Sequence, residues 1–284
     1  MRAVSFSAAV VLLAAAIGVA GQQQTLAQAP PRRPAAPAPK STAPQKPAPA
    51  QKAAPAPAKE AVVPFGVGET LTYDVAWSTF LVAGSATSRV VEKRPAGNSS
   101  AYYLVAEGRP LPIIARLYAL YYKMDSLMDS YTSLSHRTSL YKEEGSRKRM
   151  ATTTFDRAAK RGQFTVQTDA PIEFQIPVDV QDGLATLYWL RSRNLKPGDH
   201  LTVPVSDEGI LYKANFDVGA PEQIKVPLGT ITAWNLKITV LDSTNQPVGK
   251  NIAAWISTDP RRLPVRLQAD LPVGNFGLTL RSAQ

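Results

Sequence analysis

Apolar and polar residues alternate through much of the chain. In residues 65–77 (FGVGETLTYDVAW), every second position from Leu71 to Trp77 is apolar or aromatic. A period of two places successive side chains on opposite faces of a strand, so this segment is predicted to be a strand with one buried face. A second alternating run, residues 84–93, follows a break and is predicted to form a hairpin with the first.

The same pattern recurs further along the chain at short intervals, separated by Gly, Pro, Asp or Asn. It is densest in the last third, where almost every segment has strand character. Strands at a spacing of roughly 8–12 residues are typical of a sandwich or barrel and not of alternating βαβ units. The predicted strands are residues 101–107, 130–144, 147–156, 162–168, 172–178, 200–207, 210–218, 222–228, 229–242, 251–259, 263–271 and 276–282.

Two segments have helical spacing instead. Residues 113–124 (IIARLYALYYKM) carry apolar side chains three and four positions apart and follow two prolines, so a short helix is predicted there. A second helix is predicted over residues 182–193 (DGLATLYWLRSR), with Asp182 as its N-cap and Arg191 in its last turn, where the helix dipole favours cations. The predicted fold class is therefore mainly β, a large curved antiparallel sheet, half-barrel or open barrel, with two short helices packed on it.

The N-terminus has the pattern of a secretory signal peptide. Residues 1–20 contain one early cation, Arg2, followed by a run of small and apolar residues that is too short to span a bilayer. Small residues at positions 18–20 predict cleavage after Ala20, which would leave no transmembrane segment; a retained N-terminal anchor helix is the alternative. The chain has no cysteine, so the lipid attachment of a lipoprotein is not expected.

Residues 21–60 are dominated by Pro and Ala, with lysine and arginine at intervals. Such a composition cannot bury enough apolar surface to form a core, and its prolines favour polyproline II. A disordered tether is predicted, with a reach on the order of 100 Å at about 3.1 Å per residue. The remainder, residues 61–284, is predicted to form a single β-rich domain held by packing alone, because no disulfide is possible.

The net charge of +10 lies largely outside that domain. The tether contributes +5 and the domain +4. A basic tether outside the inner membrane is suited to an anionic lipid or envelope polymer, although a merely solvated linker is an equal alternative. Export and the lack of any nucleic-acid-binding motif argue against a nucleic acid partner.

Several kinds of chemistry are disfavoured by the residues present. Without cysteine there is no thiolate nucleophile or thiolate metal ligand, and the two histidines, His136 and His200, lie in separate predicted strands. No nucleophile elbow, P-loop or dinucleotide motif occurs, so neither a cofactor nor a metal is expected. Glycan cleavage requires only two carboxyls, and Asp125, Asp129 and Asp259 are the candidates for that alternative.

The positive signal is a set of aromatic residues in or near the first hairpin and the two helices. Such side chains can line an apolar site between a curved sheet and its helices, of the kind that holds a lipid or acyl chain. The alternative for each is a place in the ordinary core. The candidate ligand-binding residues are Trp77, Phe80, Tyr118, Tyr121, Tyr122, Tyr188 and Trp189.

The segment PFGVGETLTYDVAW, residues 64–77, followed by GSA at 84–86, resembles the opening of the bacterial family called domain of unknown function 3108. The resemblance continues through LATLYWLR (184–191), LKPGD (195–199) and WISTD (255–259), and covers residues 64–282. It implies an exported envelope protein of Gram-negative bacteria and a fold similar to the curved half-barrels of periplasmic lipoprotein carriers. The resemblance brings no catalytic signature.

Three functions follow as hypotheses. The first is a periplasmic binding or carrier protein for a hydrophobic or amphipathic envelope ligand. The second is an envelope enzyme that acts on glycan through paired carboxylates. The third is a structural envelope protein whose tether threads the cell wall while its domain docks a protein partner.

Overall fold

The computed structural model describes residues 59–77, 81–97, 99–117, 119–271 and 274–284. Their strands are β1 (Thr70–Trp77), β2 (Leu81–Ala96), β3 (Ser99–Pro110), β4 (Leu120–Asp129), β5 (Ser135–Glu144), β6 (Arg147–Asp156), β7 (Arg161–Val166), β8 (Ile172–Gln175), β9 (His200–Asp207), β10 (Ile210–Val226), β11 (Gly229–Leu241), β12 (Lys250–Ser257), β13 (Pro264–Leu271) and β14 (Gly274–Ala283). Two helices accompany them, α1 (Pro112–Leu117) and α2 (Gly183–Ser192).

All of these strands belong to one antiparallel sheet with the order β8-β7-β6-β5-β4-β3-β2-β1-β14-β13-β12-β11-β10-β9. Each half is a meander of neighbours along the chain. The halves are joined in the middle of the sheet by the pairing of β1 with β14, where Tyr73 lies opposite Leu280 and Val75 opposite Leu278. The predicted fold class is confirmed: a large, mainly β, antiparallel sheet with two short helices.

The sheet curls so that its two edges, at β8 and β9, approach each other. Glu208, in the turn after β9, forms ion pairs with Lys142 of β5 at 2.7 Å and Arg149 of β6 at 2.5 Å. The next residue, Gly209, lies against the side chain of Phe164 on β7. Strand β9, at one edge of the sheet, is thereby brought against strands close to the other edge.

The strands give the curled sheet two distinct ends. The tether end, where the chain preceding β1 joins the domain, contains residues 59–69, the β4–β5 turn and residues 258–263. The tip end contains α1, the β5–β6 turn and the β9–β10 turn. The registers of the sheet place these groups at opposite ends of the strands.

The first predicted helix is partly wrong. Helix α1 covers only Pro112–Leu117, and the chain then enters strand β4, so Tyr121 and Tyr122 lie on a strand. Burial alternates along β4, and the strand is hydrogen-bonded to β3 on one side and β5 on the other. Two complete ladders of backbone hydrogen bonds outweigh the helical spacing of the apolar side chains in this segment.

Candidate functional site

The inner face of the curled sheet is built from alternate residues of its strands. On β1, Leu71, Tyr73 and Val75 are each at most 3% exposed, and their neighbours Leu278 and Leu280 on β14 are equally buried. Because paired residues on adjacent strands share a face, these side chains form a continuous apolar layer. The same layer continues across β9–β13 and constitutes the principal core.

Helix α2 lies inside the curl. It is buried on nearly all sides, which is the pattern of a helix surrounded by protein. Leu184 and Tyr188 pack against residues of β2–β4, whereas Leu187 and Leu190 pack against the opposite half of the sheet. The predicted span and N-cap are confirmed, because Asp182 accepts a hydrogen bond from the backbone N–H of Ala185 at 2.9 Å.

Polar groups anchor the start of α2 to the sheet. The fully buried Asp182 carboxylate accepts hydrogen bonds from Ser126 at 2.5 Å and Ser135 at 2.7 Å. Burial nevertheless raises the pKa of Asp182 above its ordinary value. Gln181 accepts a hydrogen bond from the Ser135 amide and donates one to the Ser133 carbonyl, while its backbone bridges to β9. The helix is therefore fixed to β4, β5 and β9 at once.

An ion pair fixes the other end of α2. Arg191 is fully buried and binds both carboxylate oxygens of Glu69, at 2.6 and 2.7 Å. Two further N–H groups donate to the carbonyls of Arg261 and Arg262, and its guanidinium lies 5.2 Å from the ring of Phe65. The helix and the segment before β1 together cover the tether end of the interior. Glu69 and Arg191 are 122 residues apart, so their pairing had no signal in the sequence.

Three of the candidate aromatic residues contact the same apolar cluster. Trp77 is half-buried at the tip end of β1 and stacks on Phe276 with ring centroids 5.9 Å apart. Tyr122 is 5% exposed on the inner face of β4, and its hydroxyl donates to Glu144. Trp189, on α2, is half-buried against this cluster, the principal core. The structure thus places Trp77, Tyr122 and Trp189 along one interior surface.

The other candidates have different places. Tyr188 is fully buried and shares a hydrogen bond with Ser88 at 2.9 Å; burial raises its pKa to about 12. Tyr121 lies on the outer face, where its hydroxyl donates to Glu107 at 3.1 Å, so the sheet separates it from Tyr122. Phe80 and Tyr118 lie outside the described residues.

A buried acidic turn at the tip end was not anticipated from the sequence. Asp207 ends β9 and is 9% exposed, and burial together with the neighbouring Glu208 raises its pKa to about 7. Lys142 and Arg149 oppose this shift and hold the pKa of Glu208 below its ordinary value despite burial. The turn residues Asp-Glu-Gly resemble an ordinary exposed turn in sequence, and only the curl of the sheet buries Asp207 and half-buries the two residues after it.

The carboxylates proposed for glycan cleavage do not form a close pair. Asp125 and Asp129 are four residues apart on β4, about 13 Å along a strand, whereas glycosidase carboxyls lie about 5–10 Å apart. Burial works against the ionised form of Asp129, yet hydrogen bonds from His136 and the Thr132 and Tyr131 amides lower its pKa. Asp259 accepts a hydrogen bond from the backbone N–H two residues later, as expected of a turn. The described residues contain no group of three potential metal ligands.

The geometry defines a class of protein: a curled single-sheet β domain whose interior is closed at one end by a buried helix. The model of a family described as "Protein of unknown function (DUF3108)" matches residues 72–281. The chain belongs to this DUF3108 family, which confirms the resemblance seen in the sequence. None of the curated proteins matches the chain.

The solved structures that are similar to this chain include the following three. A β-barrel-like protein with domain of unknown function DUF1849 from Brucella abortus has a TM-score of 0.49 at 8% identity, covering 77% of this chain and 97% of its own. A candidate exported protein with a YmcC-like fold from Bacteroides fragilis has a TM-score of 0.33 at 8% identity, covering 80% and 100%. A candidate lipoprotein from Parabacteroides distasonis has a TM-score of 0.34 at 10% identity, with the same coverage.

In the part of the chain that the structure describes, neither helix has the length and apolar character needed to cross a bilayer.

Proposed function

We propose that this protein is an exported binding or carrier protein of the bacterial cell envelope, which holds a hydrophobic or amphipathic ligand against the inner face of its sheet. The observation that carries the proposal is the extent of that apolar face relative to the one helix that packs on it. Helix α2 has ten residues, about 15 Å in length. The buried apolar positions of strand β11 alone extend over eight residues, from Ala233 to Val240, roughly 26 Å.

The inner face is also uneven in a way that suits a ligand. The inward positions Ala86 on β2 and Ala106 and Gly108 on β3 carry no side chain larger than a methyl group. The larger Tyr122 of β4 pairs with Gly108 at the tip-end side of this patch. Binding sites for apolar ligands are lined mainly by apolar and aromatic side chains, as this patch is.

Export is supported by the sequence of residues 1–20, whose charge and apolar run are those of a secretory signal. We infer a periplasmic location, with residues 21–60 as a basic tether that contacts an anionic envelope polymer. Cell fractionation tests the location, and the intact mass of the purified protein tests whether residues 1–20 have been removed. A mass that includes residues 1–20 would contradict cleavage after Ala20, and recovery from the cytoplasm would contradict export.

Ligand binding is tested by mixing delipidated protein with a fluorescent fatty acid and measuring the emission change on uptake. Replacing Trp189 with alanine removes a large apolar surface from the interior, so uptake is expected to weaken about tenfold. The matched control is Tyr121→Ala, which removes an aromatic side chain of similar size from the outer face and should leave uptake unchanged.

Thermal unfolding of both variants establishes that they fold. The carrier proposal would be contradicted if the unaltered protein took up no fatty acid, or if the two substitutions weakened uptake equally. Native mass spectrometry of protein purified from the envelope provides an independent measurement, because a co-purifying ligand adds a defined mass.

A further inference from the structure

The tip end of the curled sheet exposes apolar side chains next to one another. Ile113 at the start of α1 is 70% exposed and Val82 on the neighbouring β2 is 43% exposed. Pro112 and Ala115 are also exposed, and Leu120 is half-buried. These five residues, called the apolar tip below, come from two adjacent connections of the sheet. A contiguous exposed apolar patch on a soluble domain marks a surface that meets something else.

The backbone of the apolar tip is fixed to the sheet. The backbone N–H of Leu111 donates to the Ala83 carbonyl at 2.9 Å, which ties α1 to β2. On the other side, the N–H of Gly145 donates to the Ala119 carbonyl at 2.8 Å. Ile113 is therefore presented from a supported helix turn at the tip end of the domain.

The charges around the apolar tip are mainly positive, although Glu143 and Glu144 of β5 lie opposite Tyr121 and Leu120. Residues 108–124 contain three cations, Arg109, Arg116 and Lys123, and no acid. Arg116 is exposed and makes no ion pair within the described residues. It lies three positions after Ile113, so both side chains project from the same side of α1. A cation beside an exposed aliphatic side chain can reach phosphate groups while the aliphatic group enters the apolar layer.

The point at which the N-terminal segment joins the domain lies away from the apolar tip. Residues preceding Lys59 join the domain at the tether end, where Glu60 accepts hydrogen bonds from Ser100 and Ser130. The apolar tip lies at the other end of strands β2, β3 and β4. The chain that enters the domain at Lys59 therefore does not cover the apolar tip.

We propose that the apolar tip docks on an anionic lipid surface, with Ile113 inserted at the interface and Arg116 on the lipid phosphates. A stable protein interface requires about 800 Å² per partner and roughly 20–30 residues a side. Five residues on a protruding turn do not supply that area, but they suffice for shallow interfacial insertion that cations reinforce. The proposal goes beyond ligand binding and does not depend on it.

Protein purified from the cell envelope is sedimented with phosphatidylcholine vesicles that contain or lack phosphatidylglycerol. Binding is expected to be stronger with the anionic lipid and to weaken with added salt. Ile113→Asp should lower the affinity for anionic vesicles about tenfold or more, because a charge enters the apolar layer. Val91→Asp is the matched control, since Val91 is 41% exposed on the outer face of β2, away from the apolar tip.

Because the chain has no cysteine, Ile113→Cys creates a unique site for an environment-sensitive fluorophore, and Val91→Cys does the same for the control. A blue shift on vesicle addition at position 113 but not at position 91 supports docking. Equal vesicle binding by Ile113→Asp and Val91→Asp would assign the binding to the basic tether and overturn the proposal. Failure to bind any vesicle would overturn it as well, whereas fatty acid uptake, measured separately, would be unaffected by either outcome.

Discussion

The buried carboxyl of Asp207 gives the sharpest quantitative prediction. Burial and the adjacent Glu208 raise its pKa from 3.8 to about 7 in the folded protein. In the unfolded chain the group ionises near its ordinary pKa. The folded state therefore holds a proton that the unfolded state has lost between about pH 4 and pH 7, and stability falls as the pH rises through that window.

The size of the effect follows from the shift. Each pKa unit corresponds to about 1.4 kcal/mol, so ionising Asp207 in the folded state costs about 4 kcal/mol once the pH exceeds 7. Asp207→Asn keeps the shape of the side chain and removes its titration. The free energy of unfolding of the variant minus that of the unaltered protein is expected to increase by about 4 kcal/mol between pH 4 and pH 8.

The assay is urea unfolding at several pH values, followed by tryptophan fluorescence. Asp242→Asn is a control of opposite sign, because the hydroxyl of Thr244 and the backbone amide of Gln246 lower the pKa of that exposed carboxyl. Its charge contributes stability that is present above the ordinary pKa and lost in acid, so its variant should lose relative stability as the pH rises. Parallel pH profiles for Asp207→Asn and the unaltered protein would refute the burial argument.

Two further variants test the packing. Arg191→Met leaves the Glu69 carboxylate without its partner and should lower the free energy of unfolding by about 3–5 kcal/mol, measured in urea. Adding Glu69→Gln to this variant should restore part of the lost stability. If it restores none, the loss comes from packing and not from the unpaired charge. Gly274→Ala places a Cβ against the Trp77 indole, at a residue whose φ is +129°. The backbone strain alone should lower the free energy of unfolding by roughly 1–3 kcal/mol, and the contact should change the tryptophan emission. An unchanged melting temperature would contradict this prediction.

Much of the local structure could be predicted from the sequence. The alternation from Leu71 to Trp77 predicted strand β1, and the Asp182 cap with the apolar spacing behind it predicted α2. These signals act between residues that are close along the chain, so they are present before any tertiary contact forms. The resemblance to the DUF3108 family was visible for the same reason, as short motifs in a fixed order.

Predictions failed where a distant partner decides the conformation. Residues 210–218 and 222–228 were predicted as separate strands, but they form the single strand β10 with a register shift between Val218 and Pro221. Its neighbour β11 runs past both segments and holds them in line across the bulge. The segment after α1 likewise forms β4, because the strands on both sides, β3 and β5, hydrogen-bond to its backbone.

For the candidate site, too, some features could be predicted from the sequence and others depend on the tertiary structure. The sequence by itself determined which residues are apolar, which segments alternate, and that the N-terminal region has the composition of an export signal and tether. Only the tertiary structure decided that Tyr121 and Tyr122 face opposite sides of the sheet, that Arg191 meets Glu69, and that Asp207 is buried. The first depends on the pairing of β4 with β3 and β5. The second depends on the packing of α2 against the segment before β1, and the third on the curl that brings β9 to β5–β7; both join residues far apart in the chain, which no local periodicity encodes.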